Sequence, residues 1–244
     1  HVGAANHAVS NKRRNGKGKL MSLARVANLD VIYARIEMPR IGAWGAAAVE
    51  LDLSDESLPT GATSIEFDTS PAMSFVGTII PSTGEGSPAP GRGRIMIRAG
   101  VNGLLNNVEG KPYENISPRL VIEDIIEDAG EELDSIADVD TLPTQRLWVR
   151  PRGTGAQALS RFIEGSGLTW RFLPSGRIIV LRDMWPAYSG SSSFDAAPNE
   201  IRRATYALDA PDLLPGMSLD SKNVSRVVHC VRRDGTFRSE VTFL

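Results

Sequence analysis

The chain has 244 residues and a formal charge of −2 at pH 7, and its 41% hydrophobic and 23% charged residues are typical of a soluble globular protein, not of a disordered or fibrous one. The single cysteine, Cys230, excludes an internal disulfide and a cysteine-based zinc site. No apolar run is long enough to span a membrane as a helix.

The first twenty residues differ from the rest of the chain in charge. They contain five basic residues, no acidic residue and almost no apolar periodicity, so we interpret residues 1–20 as a basic flexible arm. The five are Lys12, Arg13, Arg14, Lys17 and Lys19. Such a cluster can contact nucleic acid or an acidic partner surface, or it can be a solvated tail. The remaining residues include 22 basic and 29 acidic ones, which gives the body a formal charge of −7.

An N-terminal β-domain is predicted over residues 21–115, where short apolar or alternating runs are bounded by Gly, Pro, Ser or Asp. The five predicted strands cover residues 31–38, 47–53, 64–67, 73–80 and 94–101. Strands this short and numerous favour a small sandwich or barrel. Between the last two strands, seven of the thirteen residues 81–93 are Gly or Pro, which predicts a long flexible loop.

A helix is predicted at the start of a small α/β module over residues 116–186. Ser117 is a suitable N-cap, Pro118 fits the first helical position, and Gly130 is a suitable stop. Apolar residues recur with helical spacing at Ile122, Ile125, Ile126 and Ala129. The opposite face carries Glu123, Asp124, Glu127 and Asp128. Because these carboxylates lack the spacing of a calcium loop, we interpret them as a solvated helix face.

The second half of this module is predicted as a strand over residues 146–150, a helix over 155–164 and a hairpin formed by 168–173 and 177–181. Leu159, Phe162 and Ile163 would pack the helix onto a sheet. That sheet would also contribute Leu147 or Trp148, Trp170 and Ile179 to the core.

The C-terminal residues 187–244 return to strand patterns, over 203–208, 223–232 and 237–244, and are predicted to complete a barrel. Asp234-Gly235 lies between the last two strands and predicts a two-residue type I′ hairpin turn. That turn would place Glu240 opposite His229, and Ser239 opposite Cys230.

The residues that could carry chemistry do not form a recognisable catalytic set. His229 and Cys230 are adjacent in a predicted strand and would point to opposite faces, so they cannot form a thiolate–imidazole pair. The Gly153-Thr154-Gly155 turn lacks the remaining residues of a phosphate-binding loop. Arg92 and Arg94 could contact phosphate, although a basic pair in a glycine-rich loop is a weak signal. We therefore expect no enzymatic activity, no cofactor and no metal.

Three stretches of the chain resemble the baseplate hub proteins of phage tails, the late control D family and its relatives. They are SPRLVIEDIIEDAG, LWVRPRGTGAQALSRFIEGSGLTWRFLPSGRIIVL and NVSRVVHCVRRDGTFRSEVTF. The family typically shows a helix with regularly spaced Ile after a Pro, a strand, a short helix near Gly-Thr, and a hairpin with Trp on its first strand. The resemblance implies an α+β, mainly β fold, in which tail-tube-like β-barrel parts join a small inserted α/β module.

The resemblance also implies a function, that of a structural ring of three identical subunits at the distal end of the tail tube. DNA would pass through this ring only in transit, and other tail and baseplate proteins would bind it. The protein would be assembled in the cytoplasm of the bacterial host and end in the virion. The candidate assembly contacts are Arg92, Arg94, Glu123, Asp124, Glu127 and Asp128, with the basic arm as a further candidate.

Two alternatives remain open from the sequence. Hub proteins of this type often carry two barrel units, and the second is reduced here, so a sixfold distal tail protein is the first alternative. The second is a carbohydrate-binding module of the tail tip, which would use exposed tryptophans. The chain has four, Trp44, Trp148, Trp170 and Trp185. The strand patterns around Trp148 and Trp170 favour burial of those two.

Overall fold

The computed structural model describes residues 22–42, 44–53, 57–69, 71–80, 89–136, 139, 142–190, 194–195, 203–206 and 210–244. The predicted basic arm, with Lys12, Arg13, Arg14, Lys17 and Lys19, lies outside the described residues. Of the loop predicted over residues 81–93, only 89–93 are described.

The described residues form strands, two α-helices and one short 3-10 helix. The strands of the first half are β1 (Ala24–Val26), β2 (Leu29–Pro39), β3 (Ala46–Asp52), β4 (Ala62–Phe67), β5 (Met73–Ile80), β6 (Arg92–Ala99), β7 (Asn107–Val108) and β8 (Lys111–Ile116). Those of the second half are β9 (Leu133–Ile136), β10 (Gln145–Arg150), β11 (Gly153–Thr154), β12 (Thr169–Phe172), β13 (Ile178–Leu181), β14 (Phe194–Asp195), β15 (Arg203–Tyr206), β16 (Ser218–Leu219), β17 (Lys222–Arg232) and β18 (Phe237–Phe243). The helices are α1 (Pro118–Asp128), α2 (Gly155–Ile163) and the 3-10 helix Gly103–Leu105.

Six strands close an antiparallel barrel in the order β1-β4-β5-β6-β3-β2, because β2 returns to pair with β1. The predicted mainly β fold is thereby confirmed. Of the two predicted architectures, sandwich and barrel, the structure has the barrel. Inward side chains alternate along each strand, and Ile36, Leu51 and Ile97 are fully buried. The alternation of apolar and polar residues that predicted these strands therefore matches the alternation of buried and exposed side chains in the barrel.

The strand that closes the barrel, β1, is not predicted by the sequence, because three residues are too few to show an alternation. Its Val26 pairs with Leu29 of β2 on one side and with Ile65 of β4 on the other. The connecting residues Ala27 and Asn28 have φ angles of 47° and 71°. A turn with two positive φ angles has the twist that suits adjacent antiparallel strands.

The C-terminal strands extend the barrel sheet outward and do not complete a barrel as predicted. β17 pairs with the outer half of β2, and the sheet continues in the order β2-β17-β18-β15-β14. β2 is long enough to pair with β1 near its start and with both β3 and β17 further along. The barrel therefore needs no strand from the C-terminal segment.

The hairpin between β17 and β18 has a register one residue away from the predicted one. Gly235 has a φ of 87°, whereas Asp234 is not among the residues with positive φ, so the turn is not type I′. The amide of Arg232 donates to the carbonyl of Thr236, and that of Gly235 donates to the carbonyl of Arg232. This is a three-residue turn with a glycine bulge. It pairs His229 with Ser239, so the predicted pairing of His229 with Glu240 is wrong.

The middle of the chain contains the two predicted helices, and the first has its predicted N-cap. Ser117 Oγ accepts a hydrogen bond from the Leu120 amide, and Thr154 forms a capping box with Gln157. The sequence does not predict β8, which pairs with β10, or β9, which pairs in parallel with β13. None of the helices in the described ranges has the length and apolar composition needed to cross a membrane.

Candidate assembly surfaces

One face of the extended sheet is rich in arginine. Residues directly opposite each other in β6, β3, β2, β17 and β18 point to the same side, and the outward side alternates with the buried one. The arginine face is defined by Arg35, Arg92, Arg94, Arg98, Arg226, Arg232 and Arg238. The carboxylates on the same side are Glu37, Glu50, Asp52 and Glu240. A chain with an acidic body thus has one surface where positive charge is in excess.

Some of these arginines are paired within the chain and others are not. Arg92 lies 2.8 Å from Glu50, and Arg226 lies 2.5 Å from Glu37. In the part of the chain that the structure describes, Arg94, Arg232 and Arg238 form no ion pair. Arg92 belongs to β6 and not to the loop, so the loop predicted up to residue 93 ends earlier than expected. The two predicted contact arginines, Arg92 and Arg94, therefore stand on a rigid strand.

A polar cavity of about 370 Å³ opens on the arginine face near the β17–β18 turn. Its lining residues are Tyr33, Cys230, Arg232, Thr236, Arg238 and Glu240. The Tyr33 hydroxyl lies 3.9 Å from Cys230 Sγ. Burial raises the pKa of the Cys230 thiol and that of the Tyr33 phenol, so both groups are neutral at pH 7. A neutral thiol is a weak nucleophile.

His229 lies on the opposite face of β17 from Cys230, as the sequence predicts. It is fully buried, and its Nδ1 is 2.8 Å from Ser239 Oγ. Burial lowers the pKa of His229 to about 4, although the Leu213 carbonyl and the Asp212 carboxylate act against this shift. His229 and Cys230 are therefore a core histidine and a half-buried thiol that cannot act on the same substrate.

Two carboxylates on the acidic face of α1 form ion pairs with a buried arginine. Arg150, only 1% exposed, donates from Nε to the Glu109 carbonyl at 2.9 Å and from Nη1 to Asp124 at 3.3 Å, and it also pairs with Asp128. Lys111 and the Tyr113 hydroxyl donate to Asp124 as well. We call these residues the Arg150 network.

The Arg150 network changes the protonation of its members. Burial would raise the pKa of Asp124, but the hydrogen bonds from Lys111 and Tyr113 outweigh it and hold that pKa below its ordinary value. Burial and the hydrogen bond to Asp124 raise the pKa of Tyr113. The solvated face predicted for α1 is therefore wrong for Asp124, which is half-buried against Arg150, whereas Asp128 is exposed although it also pairs with Arg150. Of the four predicted contact carboxylates, Glu127 is exposed and Glu123 is half-buried.

A second buried ionic cluster joins distant parts of the chain. Asp183, with its side chain 4% exposed, lies 2.5 Å from Arg40 at the end of β2 and 2.8 Å from Arg171 of β12. Glu131, just after α1, accepts hydrogen bonds from the amides of Val101 and Gly103 after β6. These contacts tie the barrel to the α/β module. No local sequence pattern links residues so far apart, so these contacts could not be predicted from the sequence.

The four tryptophans do not line one groove. Trp170 is buried and meets Trp44 edge to face, with ring centroids 6.1 Å apart. Trp148 packs on Phe162 of α2 at 4.8 Å, and Trp185 lies beside the guanidinium of Arg40. These contacts are those of core and junction residues, so the structure does not favour a carbohydrate-binding groove built from them. Among the described residues, no three His, Cys, Asp or Glu side chains are placed to hold a metal ion.

Comparisons with known proteins identify the fold. No protein-family model and no curated protein matches the chain. A component of the type VI secretion system of E. coli, described as structurally similar to the T4 bacteriophage tail proteins gp27 and gp5, superposes with a TM-score of 0.66 at 12% identity over 91% of this chain and 76% of its own.

Two further solved structures match over nearly their whole length. The 43 kDa tail protein of prophage MuSo2 from Shewanella oneidensis has a TM-score of 0.61 at 8% identity, with 91% of this chain and 97% of its own covered. A tail protein from Neisseria meningitidis has a TM-score of 0.56 at 12% identity, with 91% and 95% covered. The chain therefore has the fold of phage tail proteins and of a related secretion-system component.

Proposed function

We propose that the chain is a structural component of a bacteriophage tail, a baseplate hub protein that forms a ring of three subunits at the distal end of the tail tube. The observation that carries this proposal is the match of 91% of the chain to the folds of a gp27- and gp5-like secretion component and of two tail proteins. Its partners would be copies of itself and neighbouring tail proteins, and its place would be the virion.

The charge distribution supports self-association into a ring. The arginine face and the exposed carboxylates of the α/β module are two surfaces of opposite charge on one chain. Different surfaces that meet head to tail generate a closed ring when the rotation between neighbours closes. We place the arginine face between subunits and not in the channel, because arginines lining the channel would bind DNA phosphates and retard passage.

The division of the chain into units follows from the pairing of its strands. We propose a barrel unit up to β6, an α/β module from β7 to β13, and a C-terminal sheet extension from β14 onward. We place the first boundary earlier than the predicted residue 115, because β8 pairs with β10 of the module. A structural role is further supported by the separation of His229 from Cys230 on opposite faces of β17.

The experiment that tests this function is the subunit count of the purified chain, by native mass spectrometry and by electron microscopy of single particles. We expect rings of three copies with an open centre. Rings of six would assign the chain to a distal tail protein instead. A chain that stays monomeric at the highest soluble concentration, and is absent from assembled tails, would overturn the proposal.

Charge reversal tests which surface forms the ring. Arg94→Glu combined with Arg238→Glu reverses two unpaired members of the arginine face, and we expect the subunit dissociation constant to rise by about tenfold or more. The matched control is Arg152→Glu, because Arg152 is an exposed arginine between β10 and β11, outside the arginine face, and its carboxylate partner Glu109 is 3.7 Å away. Equal assembly of both variants would remove the arginine face from the interface.

A further inference from the structure

The two-stranded ribbon formed by β8 and β10 exposes two apolar side chains of β10 on the face that it turns away from the helices. Tyr113, Trp148 and Arg150 point inward and pack against the helices, as their contacts with Phe162 and with Asp124 show. The neighbouring residues of β10 point the other way, and Leu147 and Val149 are 64% and 58% exposed.

The two edges of this ribbon differ. In the described part of the chain, β8 pairs with β10 alone and β10 with β8 alone. On β8, Pro112 has no amide hydrogen and Asn115 has a φ of 49°, which are two devices that prevent a further strand from pairing. β10, with the sequence QRLWVR, contains neither proline nor glycine. An antiparallel strand turns the amide and carbonyl of every second residue away from its partner, so β10 offers an open ladder.

We propose that the free edge of β10 is a docking site for an extended segment of another protein, which adds as a third strand of the ribbon. The open ladder selects a β-strand, because only an extended backbone can satisfy its alternating donors and acceptors. Leu147 and Val149 select apolar side chains at alternate positions of that strand. This inference goes beyond the ring proposed above, because it concerns a surface that the arginine face does not include.

The charge at this edge indicates an acidic partner. Arg146 is exposed and forms no ion pair with any residue that the structure describes, so a carboxylate on the added strand would meet it. A second copy of β10 fits less well, since it would bring another Arg146 to the same short ladder. The occupant is therefore an extended segment that alternates apolar residues and carries a glutamate or aspartate.

The test uses the full chain and a synthetic acetylated peptide, Ser-Val-Glu-Val-Thr-Val-Ser amide, at millimolar concentration. Hydrogen exchange is followed amide by amide with and without the peptide. We expect slowed exchange within Gln145–Val149 and unchanged exchange in the barrel strands. The same peptide with proline in place of its central valine should give no protection, because proline cannot donate to the ladder.

Variants separate docking from a general effect on folding. Leu147→Lys combined with Val149→Lys should weaken peptide binding by about tenfold or more while leaving the melting temperature unchanged, since both side chains already face water. Val101→Lys is the matched control, because Val101 is 55% exposed but lies outside the ribbon, and it should bind as the parent does. Absence of protection at β10, or equal binding by the proline peptide, would overturn the inference.

Discussion

The barrel and the α/β module are stabilised in different ways. The barrel closes on itself, and its core is built from alternating apolar residues such as Ile36, Leu51 and Ile97. The module holds its ribbon and helix α1 together through Arg150, a buried cation with two carboxylate partners. The barrel is thus stabilised mainly by burial of apolar surface, whereas the module also depends on polar contacts that fail if one member is lost.

The largest effect on the free energy of unfolding is expected when the buried cation of the module, Arg150, is replaced. Arg150→Met keeps the length of the side chain but leaves Asp124 and Asp128 without their buried cation. We expect a loss of about 3 kcal/mol in the free energy of unfolding, because one partner of a buried ion pair is removed. Arg92→Met is the matched control in the barrel, where the arginine is 49% exposed, and it should cost less than about 1 kcal/mol.

Urea denaturation measures the free energy of unfolding of both variants. Circular dichroism in the aromatic region, to which Trp148 and Tyr113 contribute, follows the unfolding of the module. Equal losses in the two variants would show that the Arg150 network contributes no more than a surface ion pair. A loss confined to the module would further show that the barrel folds without it.

The same contrast explains how much the sequence could predict. Alternation of apolar residues predicted five barrel strands, and caps at Ser117 and Thr154 accompany two helices near their predicted bounds. A local pattern cannot reveal which distant charge neutralises a carboxylate. The sequence therefore predicted a solvated Asp124, which is half-buried, and it gave no sign of the cluster of Arg40, Asp183 and Arg171.

The errors in the sheet extension have another physical origin. Asp-Gly is compatible with a two-residue turn and with a three-residue turn that ends in a glycine bulge, and the sequence does not distinguish them. The difference is one residue of register, which moves the neighbour of His229 from Glu240 to Ser239. Of the candidate contact residues, Arg94 was correctly predicted on a strand and the four carboxylates on α1, whereas Arg92 was wrongly predicted in the loop. The ion pairs of Asp124 and Asp128 with Arg150 could come only from the tertiary structure.

The next prediction concerns how folding stability depends on pH. It distinguishes His229 in the sheet extension from Asp124 in the module, because the two groups titrate in different pH ranges. Burial lowers the pKa of His229 from 6.5 to about 4, so between these values the unfolded chain binds a proton that the folded chain does not. Folding stability should therefore fall as pH decreases from 6.5 to 4, by on the order of 2 kcal/mol. His229→Gln should flatten this slope. Asp124, whose pKa is lowered below 3.8, contributes stability that is lost only at more acidic pH.

Denaturation midpoints at a series of pH values test this prediction. A slope between pH 6.5 and 4 that is the same in the parent and in His229→Gln would mean that His229 is not the titrating group. Protonation of other carboxylates would then account for the acid sensitivity.

A smaller effect is expected at the β17–β18 turn. Gly235→Val should destabilise the chain by about 1 kcal/mol or more, because a β-branched residue resists the φ of 87° that the bulge requires. Gly235→Asn is the control and should cost only a few tenths of a kcal/mol, since asparagine tolerates positive φ. The barrel turn at Ala27-Asn28 already functions without glycine. Thermal unfolding of both variants measures the difference, and equal melting temperatures would contradict the bulge.

The smallest effect on stability is expected when the residues that connect β5 and β6 are replaced. This change should also separate folding from assembly most clearly. The register keeps Arg92 and Gly93 in the ladder with β3, so a replacement must spare them and is limited to residues 81–88. A shorter Gly-Ser linker there should leave the melting temperature unchanged, because the barrel strands on both sides remain paired. If the chain forms the ring proposed above, we expect the same change to reduce assembly, because residues 81–88 are predicted to contact a neighbouring subunit. Melting curves and the yield of assembled tails measure the two effects separately. Normal tails from this variant would show that residues 81–88 are a solvated loop without a partner.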